Sequence, residues 1–294
     1  MSKATRFPPW LKKRLPPAEQ TQRVRSLLAE LHLNTVCRSA RCPNRGECYA
    51  RGTATFMILG PVCTRNCRFC AVEGGTPAPP DPDEPCRVAE AIRRLELRHV
   101  VITSVTRDDL PDGGSGHFAA AIRAIREATD ATIEVLTPDF LGRPDDVDRV
   151  LDAAPDVFNH NVETVPGLYG DVRPGAGYRR SLRVLARAAR HPAVPGVKSG
   201  LMLGLGETED EIREVLTDLV RAGCRAVTLG QYLAPSEEHH PVVEFVPPER
   251  FARLEELALR TGFEVALSGP FVRSSYRAAQ VAEQLLRAPD RPDR

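Results

Sequence analysis

The sequence lacks any long apolar run, and it lacks an excess of charge of either sign. No stretch approaches the roughly 20 apolar residues of a membrane-spanning helix, so we expect no membrane partner. The 40 Lys and Arg residues are offset by 39 Asp and Glu residues, which leaves a net charge of +1. A general nucleic-acid-binding protein normally carries a basic excess, so this balance gives no support to a nucleic-acid partner.

The N-terminus lacks the apolar segment of a secretory signal. Residues 1–20, MSKATRFPPWLKKRLPPAEQ, contain five basic residues and no acidic residue before Glu19. That character would suit an organelle presequence, but four prolines oppose the amphipathic helix that such a presequence needs. We therefore expect a cytoplasmic protein in a reducing compartment, where cysteine clusters bind metal more often than they form disulfides.

The 294 residues show no close repeat, but strand-like and helix-like segments alternate along them. Strands are predicted at 53–60, 99–105, 132–138, 156–164, 197–205 and 226–233, with a seventh possible at 263–269. Helices are predicted at 118–128, 178–190, 209–222 and 248–260, and Thr208 with Glu211 predicts a capping box. This alternation indicates an α/β fold with a parallel sheet.

We expect a partial TIM barrel of the (β/α)6 type with extensions at both ends. The predicted parts are an N-terminal extension (1–52), the barrel (53–265) and a C-terminal extension (266–294). A doubly wound open sheet is the alternative, because the pattern alone does not separate the two. In both folds ligands bind at the carboxyl ends of the strands.

Six of the eight cysteines stand in two groups of three. The segment CTRNCRFC contains Cys63, Cys67 and Cys70, which we call the CxxxCxxC trio. The segment CRSARCPNRGEC contains Cys37, Cys42 and Cys48, which we call the upstream trio. Structural zinc takes four ligands, and no further cysteine or histidine follows the CxxxCxxC trio closely. Short multi-cysteine runs hold iron–sulfur clusters. Three thiolates on a four-iron cluster would leave one iron open to a substrate or cofactor. A zinc knuckle or incidental thiols are the alternatives.

The CTRNCRFC segment resembles the signature of radical S-adenosylmethionine (SAM) enzymes, with an aromatic residue before the last cysteine and a strand before the motif. Together with the upstream trio, the chain resembles the lipoyl synthase family. The resemblance runs from about residue 7 to residue 280. It includes ATFMILG, ITSVTRDDLPDGG, FNHNVETV, KSGLMLGLGE, GQYLAPS and VRSSYRA.

The resemblance implies an enzyme that inserts sulfur at carbons 6 and 8 of an octanoyl chain attached to a lysine of a carrier domain. It implies two 4Fe-4S clusters and SAM, which would bind the open iron of the cluster on the CxxxCxxC trio. A second cluster on the upstream trio would donate the sulfur, with Ser275 of RSSY as its fourth protein ligand and Ser274 the less favoured choice. On its own, RSSY is typical of a helix N-cap.

The resemblance also implies partners. These are octanoylated lipoyl carrier domains, namely E2 subunits of 2-oxoacid dehydrogenases and the H protein of glycine cleavage. A reducing electron donor such as ferredoxin or flavodoxin is also implied. The alternative functions are a radical-SAM methylthiotransferase and a non-catalytic iron–sulfur electron carrier or zinc-binding module. The basic N-terminal arm could dock an acidic carrier or pack on the barrel.

Five further residues are candidates for binding SAM. Strand alternation places Asn161 and Glu163 on one face of FNHNVET, opposite His160. Lys198 shares a face with Gly200, and the backbone at Gly74 and Gly75 would allow a close approach. The alternatives are a polar strand end that caps a helix, and close packing. His239 and His240 follow in a proline-bounded loop, where we expect them to be solvated.

Overall fold

The computed structural model describes residues 7–13 and 16–287, and all structural statements concern these residues. Residues 1–6 and 14–15 of the predicted N-terminal extension lie outside them, as do residues 288–294 of the predicted C-terminal extension. Within the described ranges, no helix combines the length and apolar character needed to cross a membrane.

Seven parallel strands form the main sheet, and two very short strands form a separate parallel ladder. In chain order they are β1 (Thr55–Ile58), β2 (Val62–Cys63), β3 (Glu73–Gly74), β4 (His99–Ser104), β5 (Thr132–Leu136), β6 (Val157–Asn159), β7 (Gly196–Leu203), β8 (Ala226–Gln231) and β9 (Val265–Gly269). The main sheet runs β1-β4-β5-β6-β7-β8-β9.

This strand order follows the chain without a reversal. A doubly wound sheet changes direction at a switch point, so the barrel prediction is confirmed over its alternative. Among the described residues β9 does not pair with β1, and the barrel is therefore open between these strands. The neighbouring carboxyl ends of the strands all lie on one rim, where a site is expected.

Eleven α-helices are described in residues 7–13 and 16–287. They are α1 (Ala18–Glu30), α2 (Val36–Ser39), α3 (Arg45–Ala50), α4 (Glu84–Leu95), α5 (Ser115–Ala128), α6 (Pro144–Leu151), α7 (Tyr169–Val172), α8 (Tyr178–Ala189), α9 (Glu209–Arg221), α10 (Pro248–Thr261) and α11 (Ala278–Arg287). Three short 3₁₀ helices cover Pro9–Leu11, Phe140–Gly142 and Pro166–Leu168. The predicted capping box at Thr208 and Glu211 is confirmed at the start of α9.

The core explains why the strands were recognisable. All four residues of β1 are buried, as expected for a parallel strand that is covered on both faces. The core also contains the fully buried side chains of Phe56, Ile102 and Phe158. Burial of each such side chain contributes roughly 1.5–3 kcal/mol to the stability of the fold. The same core includes Leu27 of α1 and Tyr49 of α3, so the N-terminal extension packs directly on the barrel.

The C-terminal extension passes from one end of the barrel to the other. Helix α11 packs against the first residues of three strands, Val157, Ala226 and Val265, and so covers the amino ends of the sheet. The segment that links the carboxyl end of β9 to α11 therefore crosses the sheet. It does so over Gly230, where an added Cβ would lie 2.1 Å from the Val272 carbonyl oxygen. A side chain at this position would block the path.

Candidate active site

The CxxxCxxC trio lies on the loop that follows β1, at the carboxyl rim of the barrel. Cys63 ends β2 and pairs with Gly74 of β3. Its sulfur accepts hydrogen bonds from the backbone N–H groups of Thr106 at 3.3 Å and Arg65 at 3.4 Å. Hydrogen bonds to the ligating sulfurs are one of the factors that set the potential of an iron–sulfur cluster.

Arg65 anchors this loop to the two neighbouring barrel loops. Its guanidinium donates to Asp108, after β4, at 2.6 Å and to Asp139, after β5, at 2.7 Å. Asp139 also accepts from Arg180 at 2.8 Å. Burial alone would raise the pKa of the Asp139 carboxyl, but Arg65 outweighs it and lowers the pKa to about 2. The network links the cysteine loop to the loops after β4 and β5 and to α8.

Two histidines hold the other side of the loop. His239 contacts the Cys70 carbonyl oxygen through Nε2 at 3.0 Å, and the His240 backbone donates to the Arg68 carbonyl at 2.8 Å. The His240 ring is buried between the Leu205 carbonyl and Asp171. The prediction that this pair is solvated is wrong for His240, because the loop folds back onto the cysteine segment.

A polar cluster faces the barrel interior beyond β6. Asn161 donates to Glu163 at 3.0 Å, while the neighbouring His160 points outward to Ser181 of α8. The predicted division of faces is therefore present, although β6 ends at Asn159. Glu163 has a φ of 66°, which a regular strand does not allow. Backbone outliers of this kind are concentrated at functional sites.

Arg173 completes this cluster and was not found from the sequence. It donates to the carbonyls of Asn161 and Val162 at 3.0 and 2.9 Å. Burial raises the pKa of Glu163, which Arg173 opposes. The Nε of Arg173 and the Oδ1 of Asn161 are buried and have no hydrogen-bond partner among the described residues. Buried polar atoms without partners are costly, so a polar ligand fits here.

Lys198 is fully buried inside the barrel. Its ammonium donates to Glu134 at 2.9 Å and to the Ser274 carbonyl at 2.6 Å. Asn159 donates to the same Glu134 carboxylate at 3.0 Å. The predicted contact of Lys198 with the cofactor stays a prediction, but its observed partners tie β7 to the RSSY segment, residues 273–276.

Gly74 and Gly75 lie beside the cysteine loop on the surface. The Gly75 backbone donates to the Cys63 carbonyl at 2.9 Å. An added Cβ at Gly74 would meet the Arg65 carbonyl at 3.7 Å, an ordinary contact distance. No crowding within the described chain therefore requires glycine at position 74, and cofactor approach remains its predicted role.

The upstream trio lies on two short helices of the N-terminal extension. Cys37 is in α2, Cys48 is in α3, and Cys42 lies between them. Thr35 caps α2 and contacts the Tyr49 hydroxyl at 2.8 Å, which joins the two helices. Burial raises the pKa of Cys48 to about 12, with further contributions from the other two thiols of the trio.

The RSSY segment lies between the upstream trio and the Asn161 cluster. The Ser274 hydroxyl accepts a hydrogen bond from Asn161. By contrast, the Ser275 hydroxyl has no hydrogen-bond partner in the described part of the chain. Burial lowers the pKa of the Arg273 guanidinium, while Cys42 and Glu163 act in the opposite direction. Arg273 therefore interacts electrostatically with the upstream trio and with the Asn161 cluster.

The donor sets fit iron–sulfur clusters. All six cysteines are free thiols, and the three within each trio influence one another electrostatically. Within residues 7–13 and 16–287, no three His, Cys, Asp or Glu side chains are grouped to hold a single metal ion. Burial raises the pKa of Cys70 to about 12, so thiol ligation of iron is accompanied by proton release.

Comparison with known proteins adds independent findings. Residues 57–219 match the family model of the Radical SAM superfamily. Residues 1–42 match the model described as the N-terminal domain of lipoyl synthase of the Radical_SAM family. Lipoyl synthase from Caldanaerobacter subterraneus subsp. tengcongensis is 56% identical over 93% of this chain and 96% of its own length. Lipoyl synthase from Geobacter metallireducens is 56% identical over 95% of this chain and 99% of its own length.

A solved structure supports the fold. Streptococcus suis SuiB, in its crystal structure bound to S-adenosylmethionine, superposes with a TM-score of 0.57 at 12% identity. The match covers 77% of this chain and 55% of SuiB. At this identity the similarity concerns the barrel fold alone.

Proposed function

Because the chain belongs to the lipoyl synthase family of radical SAM enzymes, we propose which of its residues bind the cofactors of that family and which partners it serves. The enzyme inserts sulfur into a protein-bound octanoyl group to make the lipoyl cofactor, and it uses SAM and two 4Fe-4S clusters. The family membership favours neither a methylthiotransferase nor a non-catalytic electron carrier.

Cys63, Cys67 and Cys70 are proposed to bind the cluster that binds SAM. Three ligands on one loop leave an open position, and the orphaned polar atoms of Asn161 and Arg173 are suited to the polar groups of SAM. We assign Asn161 and Glu163 to hydrogen bonds with SAM, with Gly74, Gly75 and Lys198 as further contacts.

Cys37, Cys42, Cys48 and Ser275 are proposed to bind the auxiliary cluster. Ser275 is favoured over Ser274 because Asn161 and Lys198 already engage the hydroxyl and the carbonyl of Ser274. An oxygen ligand binds cluster iron less strongly than thiolate does, which suits a ligand that is released as the cluster gives up sulfur.

When bound, the first cluster and SAM supply a 5′-deoxyadenosyl radical that removes a hydrogen atom from the octanoyl chain. The protein's own contribution is positioning and exclusion of water. The Arg65 network fixes the loop that carries the SAM cluster, and Asn161 and Glu163 orient the cofactor. The RSSY segment, which would hold the auxiliary cluster through Ser275, contacts Asn161 through Ser274.

A single observation carries this proposal. One segment, residues 273–276, links the region of the upstream trio to the Asn161 cluster: the Tyr276 hydroxyl donates to Glu47, and the Ser274 hydroxyl accepts from Asn161. Sulfur insertion would require the octanoyl chain to lie within reach of the residues that bind SAM and of those that hold the auxiliary cluster. The two sites therefore have to share one chamber.

The proposed protein substrates are octanoylated lipoyl carrier domains of 2-oxoacid dehydrogenase E2 subunits and of the glycine cleavage H protein. A ferredoxin or flavodoxin is the proposed electron donor, and the cytoplasm is the proposed compartment. The proposed division of the chain is an auxiliary-cluster extension (1–52), the radical-SAM barrel (53–265) and a C-terminal extension (266–294).

The proposal is tested with anaerobically purified enzyme, a reductant, SAM and an octanoyl-lysine peptide. We expect about eight irons per chain, formation of 5′-deoxyadenosine, and a peptide that carries two added sulfur atoms. Fully loaded enzyme that yields neither 5′-deoxyadenosine nor thiolated peptide would contradict the function. Zinc, or only about four irons per chain, would contradict the two-cluster assignment.

A further inference from the structure

Lys13, near the N-terminus, contacts both the loop of the upstream trio and the C-terminal extension. Its ammonium donates to Asn44 at 2.7 Å and forms an ion pair with Glu47. It also lies 5.1 Å from the ring centre of Phe271 and 5.5 Å from that of Tyr276, which are cation–π distances. One side chain near the N-terminus thus reaches two other, separate parts of the chain.

Asn44 and Glu47 lie between Cys42 and Cys48, and each makes a second contact with the C-terminal extension. The Asn44 amide donates to the Phe271 carbonyl at 2.6 Å, and Asn44 is only 1% exposed. The Tyr276 hydroxyl donates to Glu47 at 3.2 Å. These bonds join residues 227 and 229 positions apart in the sequence.

The anchored residues flank the proposed serine ligand in the sequence. Phe271 and Tyr276 lie on either side of Ser275, and both are bound to the segment that carries two cysteines of the upstream trio. Closing so long a loop has an entropic cost, which is large compared with the net value of one exposed ion pair. Several contacts of Lys13 therefore have to act together to offset the entropic cost of closing this loop.

We propose that Lys13, Asn44, Glu47, Phe271 and Tyr276 form a clamp that positions Ser275 beside the upstream trio before the auxiliary cluster is assembled. This inference rests on the proposed function, since it takes Ser275 as a ligand. The clamp residues are positioning residues, because they act through the placement of Ser275. A serine oxygen is a weak ligand for cluster iron, so its binding depends on a high effective concentration.

The clamp is tested with Lys13→Met and Tyr276→Phe. The first keeps an unbranched chain but loses the charge, and the second loses only the hydroxyl that donates to Glu47. Arg51→Gln is the matched control, because Arg51 also pairs with Glu47 but makes no hydrogen bond or ion pair with residues 271–276 in the described part of the chain. Lys13→Arg restores the charge and serves as the rescue variant.

The first measurement is hydrogen–deuterium exchange of the full-length chain without clusters. We expect exchange in residues 270–277 to become about tenfold faster in Lys13→Met, less so in Tyr276→Phe, and to be unchanged in Arg51→Gln. Barrel peptides such as β4 should keep their protection. Unchanged exchange at residues 270–277 in both clamp variants, or an equal increase in every barrel peptide, would overturn the clamp.

The second measurement is Mössbauer spectroscopy of reconstituted enzyme. We expect Lys13→Met to keep the SAM cluster and to lose most of the signal of the auxiliary cluster's oxygen-ligated iron, with recovery in Lys13→Arg. A wild-type spectrum from Lys13→Met would refute the clamp. If wild-type enzyme and Arg51→Gln show no oxygen-ligated iron, the proposed role of Ser275 fails, and the exchange result still decides whether the clamp exists.

Discussion

The two cysteine trios have the same number of ligands and are supported in opposite ways. The CxxxCxxC trio is held by neighbouring barrel loops, through the Arg65 network with Asp108 and Asp139. The upstream trio is held by the two ends of the chain, through Lys13 and Tyr276. The Arg65 network forms from adjacent βα units, and His239 and His240 add to it from a later loop. The support of the upstream trio needs a nearly complete chain.

This difference matches the two proposed roles. A cluster that cleaves SAM repeatedly benefits from rigid surroundings, and the buried ions around Arg65 provide them. A cluster that gives up sulfur has to lose ligands during turnover. Its contacts with Lys13 and Tyr276 are side-chain contacts, which can be lost without breaking the hydrogen bonds between the strands.

The largest expected effect comes from removing one cysteine of each trio. Cys67→Ala should abolish both 5′-deoxyadenosine and thiolated peptide, because SAM is no longer cleaved. Cys42→Ala should keep 5′-deoxyadenosine and lose thiolated peptide. Both products are quantified by mass spectrometry after anaerobic turnover, with iron content as the control for loading. If the two variants lose the same products, the trios do not have separate roles.

A smaller effect is expected from the RSSY serines. Ser275→Ala should reduce lipoyl formation at least about tenfold, equivalent to about 1.4 kcal/mol, while 5′-deoxyadenosine stays detectable. Ser274→Ala is the control, since it loses one hydrogen bond to Asn161, worth about 1 kcal/mol. Full lipoyl formation by the Ser275 variant would remove this residue from the mechanism.

The support of the CxxxCxxC trio can be tested by measuring the free energy of unfolding of variants. Arg65→Met leaves the buried Asp139 carboxylate with one partner fewer, and should destabilise the chain by about 3 kcal/mol in urea unfolding. Arg68→Met is the control from the same loop. Its pair with Asp171 is exposed, so the expected change is below about 1 kcal/mol. Similar losses in both variants would argue against a buried anchor.

The smaller of the two expected effects on stability concerns pH and the barrel side alone. Burial lowers the pKa of His160 to about 4, whereas the unfolded histidine titrates near 6.5. Between these values the unfolded chain binds a proton that the folded chain does not, so stability falls as pH falls through this range. His160 should contribute a loss of roughly 2 kcal/mol between pH 7 and pH 5. Urea unfolding of wild type and His160→Gln at both values measures this contribution, and equal pH dependence would contradict it.

Much of the barrel could be predicted because its signals are local. Buried parallel strands appear as apolar runs, and the capping box at Thr208 needs only four consecutive residues. Strand alternation also placed Asn161 and Glu163 on one face. The strand ends were less accurate, since β6 stops at Asn159 where the chain turns toward the unusual backbone of Glu163.

The long-range partners could not be predicted. Lys198 and Glu134 are 64 residues apart, and nothing in either local sequence specifies the other. Arg173 stands in a long loop whose path is fixed only by the folded barrel. The burial of His240 depends on contact with the CxxxCxxC loop, more than 160 residues earlier in the chain. Such pairings are properties of the tertiary structure.

The C-terminal segment that crosses the barrel over Gly230 also orders events during synthesis. The upstream trio leaves the ribosome early, but Phe271, Ser275 and Tyr276 are translated about 227 residues later. At about 5–20 residues per second, that interval is roughly 10 to 45 seconds. During this time the upstream cysteines have no serine beside them. With Ser275 as the proposed fourth ligand, assembly of the auxiliary cluster with its complete ligand set would be a post-translational event. The Arg65 network of the CxxxCxxC loop, by contrast, can form once Arg180 has been translated.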